Sequence, residues 1–434
     1  MRCIKYLSKP LNLALLVVAA VCLVTVAIGN LSAQEELKKE ESTCINCHAE
    51  LEDELLEPVT RFRHDIHYEK GIACDGCHGG DSSAEDADES MDPDKGFIGV
   101  PDPLEIPSFC GKCHSSSTYM GKFNPALPVD QEKKYRTSLH GKRNAEGDRK
   151  VAQCASCHGI HGIRPAGDPL SKVHPLNVPE MCATCHSDPG YMKSYELPTD
   201  QYRKYAEGVH GVALLQNKET GAPACNDCHG NHGAVPPGVA SIAFVCGNCH
   251  VNNMRLFNES PLKAAFSELH LPGCETCHNY HDIPKPTDAV VGVGPESVCR
   301  DCHTETKRPA GYRVAKEIRK HLDTLAERTR SADSVVVEAS QRGMDVLDAE
   351  YRLKDVRQAL IEARTMVHSF DAGMVKDKVD AGLEAAKEAV RLGEKAIANY
   401  YFRRKWLGFS TLILSFLVLM LIFKIREVDR RTGR

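Results

Sequence analysis

Nine copies of Cys-x-x-Cys-His lie between Cys44 and His303, and no other feature limits the fold so tightly. The copies are Cys44, Cys47 and His48; Cys74, Cys77 and His78; Cys110, Cys113 and His114; Cys154, Cys157 and His158; Cys182, Cys185 and His186; Cys225, Cys228 and His229; Cys246, Cys249 and His250; Cys274, Cys277 and His278; and Cys299, Cys302 and His303. Of twenty cysteines only Cys3 and Cys22 stand outside the pattern. A disulfide framework has no use for a histidine after every second cysteine. A zinc site would match one Cys-x-x-Cys with another and would not need that histidine each time. The 260 residues from Cys44 to His303 leave about 29 for each copy. So little chain cannot enclose a separate hydrophobic core at every site.

The spacing is the attachment signature of haem c. Two thiols form thioethers with the vinyl groups of one porphyrin, and the adjacent histidine reaches the iron from the proximal face. Nine covalent haems are therefore expected, and they must themselves be the core, wrapped by short helices and loops. Stretches such as "HGAVPPGVA" suit that irregular backbone. Haem c is attached outside the cytoplasm, so the middle of the chain is exported. Arg2, Lys5 and Lys9 precede an uncharged run from Leu11 to Ile28, with small residues following. Residues 1–33 read as a signal peptide or a retained N-terminal anchor. Val21 before Cys22 does not make a lipobox. Trp406 to Phe423 is eighteen residues without a charge, between Arg403, Arg404 and Lys405 on one side and Lys424 and Arg426 on the other. That is a transmembrane helix over 406–423 with a basic cytoplasmic tail over 424–434. The haem region, 34–308, then lies on the extracytoplasmic (periplasmic) side of the cell membrane. The net charge of −5 argues against a nucleic-acid partner.

An internal duplication runs through the haem region. Tyr119–Gly141 and Tyr191–Gly211 share Tyr-Met, Leu-Pro-x-Asp-Gln, a Lys-Tyr pair and a terminal His-Gly. The unit is a histidine, a spacer, Cys-x-x-Cys-His, another histidine three positions on, a spacer, and a second Cys-x-x-Cys-His. Repeat two uses His140 and His161, repeat three His210 and His232, repeat four His270 and His281. Repeat one has His64 and His67 upstream and nothing at the +3 position, and the Cys44 motif precedes all four. Twenty histidines less nine proximal ones leaves eleven, nine of them in the haem region: His64, His67, His140, His161, His174, His210, His232, His270 and His281. Nine sites and nine spare histidines is the arithmetic of bis-histidine ligation. A +3 histidine cannot reach the far face of its own haem, so it should serve a neighbouring one. His174 and the His64/His67 pair fit the repeat least well. Met120 and Met192 could be axial ligands instead, but with histidines enough they read as packing residues.

Beyond Tyr312 the pattern becomes helical. Val346, Ala349, Leu353, Val356, Leu360, Ala363, Val367 and Phe370 keep alternating spacings of three and four. Val314, Ile318, His321 and Leu325 begin a second stripe; Val375, Val379, Ala386, Val390 and Ile397 form a third. Residues 309–405 should be an antiparallel bundle of three helices broken near Gly343 and Asp371–Gly373, with His321 and His368 as structural histidines or, as the second choice, ligands of a haem packed on the bundle. "DSSAEDADESMDPD" (Asp81–Asp94) reads as a solvated acidic loop.

The chain resembles multihaem c-type cytochromes of the doubled Cys-x-x-Cys-His class, most specifically through "CHGIHG" and "CHGNHG". A haem array followed by long helices is also similar in layout to pentahaem nitrite reductases and octahaem hydroxylamine oxidoreductases. Those enzymes keep one iron open, the nitrite reductases through a Lys-ended motif; every motif here ends in His, so no catalytic residue carries over. The expected fold is mainly α with much irregular loop: a haem-packed cytochrome domain, a helical bundle and one C-terminal transmembrane helix. The expected role is electron transfer between a membrane respiratory partner, such as a quinol-oxidising complex, and an extracytoplasmic donor or acceptor, including other cytochromes. The rivals are an oxidoreductase acting on a small nitrogen or sulfur compound at one open haem, and a structural subunit of a larger cytochrome complex.

Overall fold

The computed structural model describes residues 42–52, 55–235 and 245–433. The N-terminal leader or anchor expected over residues 1–33 lies outside them. By internal contacts the chain forms two units, residues up to Glu132 with Gly147–Lys172, and Lys133–Glu146 with Val173 onward. Secondary structure is helical throughout, with no strand among the described residues.

In the first unit the helices are short: Thr43–Ala49, Leu56–Phe62, Ile66–Glu69, Cys74–His78, Ile106–His114 and Cys154–His158 are the ones that place candidate residues. Ile45, Val59 and Phe62 form a small apolar cluster. In the haem region of the second unit, Val178, Leu214 and Ala224 form another of the same size. Clusters of three buried side chains cannot hold segments this long by themselves, since burial of one large apolar side chain stabilises by only about 1.5–3 kcal/mol. The bundle differs. Fourteen buried residues, among them Leu322, Leu325, Val356 and Val379, make one continuous core there.

The bundle consists of α1 (Pro309–Gln341), α2 (Leu347–Met366) and α3 (Ala372–Thr432). Ala349, Leu353, Val356, Leu360 and Ala363 of the α2 stripe are buried. On α1 the buried seam runs through Ile318, Leu322 and Leu325, so Leu322 takes the inward place beside His321. The α1–α2 turn contains Gly343 at φ +73, a left-handed position that costs glycine little. The Arg342 guanidinium before it sits 5.3 Å and 5.1 Å over the rings of Tyr400 and Tyr401 on α3. Asp371 caps α3 by accepting from the Gly373 N–H at 2.7 Å. One uninterrupted helix then runs from the bundle into the apolar stretch. That stretch has mean hydropathy 2.4 with none of it buried, so α3 is long and apolar enough to cross a membrane.

Candidate haem sites

Six of the nine motifs take one of two local forms. In Cys74–His78, Cys154–His158 and Cys225–His229 a single helical turn ends on a glycine with positive φ: Gly79 at +71, Gly159 at +85 and Gly230 at +83. Asn279 takes the equivalent place after His278 at φ +61, as asparagine can. Such a residue stops the helix at once and turns the +3 histidine away from its own motif. The second motif of repeats one and two instead closes a nine-residue helix, Ile106–His114 and Val178–His186, each started by a proline.

Among the described contacts six proximal histidines face a second imidazole. The ring centroids are 6.0 Å apart for His114 and His67, 5.9 Å for His78 and His161, and 6.1 Å for His186 and His140. They are 6.2 Å for His250 and His210, 5.9 Å for His229 and His281, and 6.1 Å for His278 and His368. Two metal–imidazole bonds of about 2 Å, plus roughly 1.2 Å from each nitrogen to its ring centre, span about 6.4 Å. The separation therefore suits one iron between each pair. Among the described residues no three His, Cys, Asp or Glu side chains converge as a zinc site would require. None of the eighteen motif cysteines is in a disulfide. Burial, with the facing imidazole, holds His140, His161, His210, His278 and His281 below the ordinary histidine value. They are thus neutral near pH 7, the form that binds a metal.

The pairing follows a rule. An upstream histidine faces the second motif of its own repeat, as His67, His140 and His210 do. A +3 histidine faces the first motif of the preceding repeat, as His161 and His281 do. One backbone hydrogen bond recurs with it, from the residue before the upstream histidine to a carbonyl two residues after the next repeat's +3 histidine. It is Ile66 N–H to Ile163 O at 2.8 Å, Leu139 N–H to Ala234 O at 3.3 Å, and Val209 N–H to Ile283 O at 2.8 Å. The terminal His-Gly of the repeat also has a reason. A Cβ on Gly141 or Gly211 would overlap the carbonyl oxygen of Tyr135 or Tyr205, so only glycine lets the histidine helix sit against that tyrosine's backbone.

Other spare histidines are placed differently. His67, not the exposed His64, occupies the repeat-one position. His174 accepts from the Leu176 N–H at 3.3 Å through Nδ1, which puts its own proton on Nε2, the atom an iron would need. His270 is exposed, and among the described contacts none of these three faces a proximal imidazole. His303 packs instead on the Phe370 ring at 5.1 Å. Met120 and Met192 are buried at 7 % and 5 % exposure, as packing residues are.

His368 is the residue that sequence reasoning assigned to the bundle's own structure. No +3 histidine follows repeat four, and the turn between α2 and α3 supplies the imidazole facing His278. The Arg364 guanidinium fixes that turn by gripping both oxygens of Asp288 at 2.8 Å, one helical turn before His368. His368 Nδ1 then donates to the Thr365 carbonyl at 3.0 Å and leaves Nε2 for His278. Its only sequence signal was being a histidine left over after the repeats were counted.

Thiols of consecutive motifs lie close together. Burial, with the Cys44 thiol nearby, pushes Cys74 up to about 11. The Cys110 thiol lies beside that of Cys154 in the first unit, and Cys182 lies beside Cys225 and Cys246 beside Cys274 in the second. Within each unit the donor set thus fits covalent haems at neighbouring motifs.

The cytochrome c3 family pattern matches residues 66–187, which hold four of the nine motifs, and the cytochrome c554 and c-prime pattern matches residues 25–79. A C-type polyheme cytochrome, OmcC, of Geobacter sulfurreducens is 23% identical over 175 residues, which is 35% of this chain and 20% of that protein. Together with the nine motifs these likenesses support a multihaem cytochrome of the c type. The matched part spans about a fifth of that relative's length. No solved structure matches the cytochrome.

Proposed function

We propose that this cytochrome is a membrane-anchored electron wire of nine haems c, mostly held between two histidines. The observation that carries the reading is the set of motifs with neighbouring thiols and facing imidazole pairs within each unit. Each haem would supply a one-electron ferric/ferrous couple, and the protein's part is to fix spacing, exclude water and tune potential. His114 with His67, His78 with His161, His186 with His140, His250 with His210, His229 with His281 and His278 with His368 are the proposed axial pairs. Held between two neutral imidazoles, an iron would stay low-spin in both oxidation states, so little rearrangement would accompany each electron.

The apolar part of α3 anchors the cytochrome, with the haems outside and the basic tail inside. From Ala372 to Trp406 α3 rises about 1.5 Å per residue over 34 residues, roughly 50 Å. The His368 turn is therefore held far from the bilayer. Its haem exchanges electrons with a partner whose own redox domain rises above the membrane, rather than with a quinone inside it.

The second reading, an oxidoreductase acting on a small compound, is favoured by one site. His303 has the Phe370 ring rather than an imidazole beside it, and His270 points to solvent. The pyridine haemochrome assay and intact mass of detergent-solubilised protein should give nine haems per chain. Electron paramagnetic resonance of the oxidised protein should then be dominated by low-spin haem. Fewer than nine haems, or high-spin iron at several of the six proposed pairs, would overturn the wire. High-spin iron at one haem that vanishes in His303 variants would select the second reading.

A further inference from the structure

Repeat one contains a carboxylate at the register where repeats two and three have none. Asp65 stands two residues before His67; the matching residues before His140 and His210 are Ser138 and Gly208. It is 1 % exposed, yet every oxygen is used. Oδ1 accepts from the His67 backbone N–H at 2.8 Å and from the His67 ring Nδ1 at 2.8 Å. Oδ2 accepts from the Ile163 N–H at 2.7 Å, in the loop two residues beyond His161. One side chain therefore holds the imidazole facing His114 and the loop carrying the imidazole facing His78. Other ring Nδ1 atoms with a described acceptor meet neutral carbonyls: His78 meets Gly99 at 2.9 Å, His229 meets Val235 at 3.3 Å, and His368 meets Thr365 at 3.0 Å.

We propose that Asp65 is a positioning and tuning residue that gives the haem on Cys110, Cys113 and His114 a lower reduction potential than the corresponding haems of repeats two and three. The inference rests on His67 and His114 being the axial pair of that haem. A buried carboxylate accepting the Nδ1 proton draws that proton away from the ring and gives the imidazole partial imidazolate character. The ring becomes a stronger donor through Nε2 and favours ferric over ferrous iron. A carbonyl does the same more weakly, and a serine hydroxyl or a glycine scarcely at all. The same hydrogen bonds fix the ring plane of His67 and the approach of the His161 loop. Repeat one thus contains a step in potential, next to the site of the second haem, that repeats two and three lack.

The test is Asp65→Asn in the full-length, haem-loaded protein, followed by redox titration with electron paramagnetic resonance detection. The amide carries no charge and has one accepting oxygen, which can keep the bonds from His67 to Oδ1 but not the Ile163 N–H bond to Oδ2. One low-spin signal should change its g-values and titrate higher, by about tenfold in the ferric/ferrous ratio at fixed potential, ~59 mV for a one-electron couple. The converse variant, Ser138→Asp, places a carboxylate two residues before His140 and should lower one other haem by a similar factor. Asp65→Asn protein with nine haems and all potentials unmoved overturns the proposal, as does an equal shift of every haem, which would report only lost net charge. If Asp65→Asn does not accumulate, Ser138→Asp decides alone, and an unmoved potential there overturns it. If wild-type protein lacks haem at Cys110 or Cys113, the axial assignment has failed rather than the tuning.

Discussion

Gly211→Ala tests whether the imidazole spacing is what holds the haem array. A Cβ there would overlap the Tyr205 carbonyl oxygen and lie 2.6 Å from its carbon and 2.8 Å from the Ala206 Cα, against 3.4 Å for ordinary contact. These are backbone atoms and cannot rotate away. The three-residue helix Val209–Gly211 must therefore retreat by at least about 0.8 Å. Overpacking of this kind costs about 1–3 kcal/mol. The larger effect falls on His210, whose ring stands 6.2 Å from that of His250. Metal–ligand bonds tolerate roughly 0.2 Å, so a shift several times larger breaks one of them. The expected result is one high-spin haem in nine by electron paramagnetic resonance, at unchanged haem content, with a lowered melting temperature. Gly221→Ala is the control, because a Cβ there meets nothing within 4 Å. Gly211→Ala protein with every haem low-spin and unaltered melting would refute both the close approach and the ligation it positions.

His67→Ala should turn one haem high-spin while His64→Ala leaves the spectrum unchanged, since only His67 faces His114; magnetic circular dichroism separates the two. His368→Ala should likewise free one coordination position and raise the potential of that haem, read as new binding of carbon monoxide to a single ferrous site. Leu325→Ala removes a fully buried bundle residue and should cost about 2–5 kcal/mol in urea unfolding followed by helix signal. The low-spin spectra of the haems in the first unit should not change, because Leu325 belongs to the other unit.

The motifs and the presence of a stitching histidine were legible in residues such as His158 and His161, because thioether attachment demands a local Cys-x-x-Cys-His spacing. The direction of the stitch was not. Nothing in "CHGIHG" says that His161 faces the motif of an earlier repeat, because that depends on the +85° turn at Gly159 and on where Ile163 meets Ile66. A count of nine spare histidines suggested nine distal ligands, yet counting cannot distinguish His67 from His64 or recognise the Nδ1 hydrogen bond of His174. His368 was hidden for a different reason. Its heptad surroundings account for it as part of a bundle, and its nearness to His278 arises only where Arg364 grips Asp288.

The amino-acid sequence by itself determined the chemistry of the haem sites, the repeat, the bundle stripes and the apolar C-terminal segment, because each is set by spacing along a few turns of chain. Tertiary structure alone decided which imidazole faces which, why glycine must follow His140 and His210, and that Asp65 bridges two sites. Those facts depend on contacts between segments as much as 98 residues apart, as from Asp65 to Ile163. Local pattern has no means of recording them.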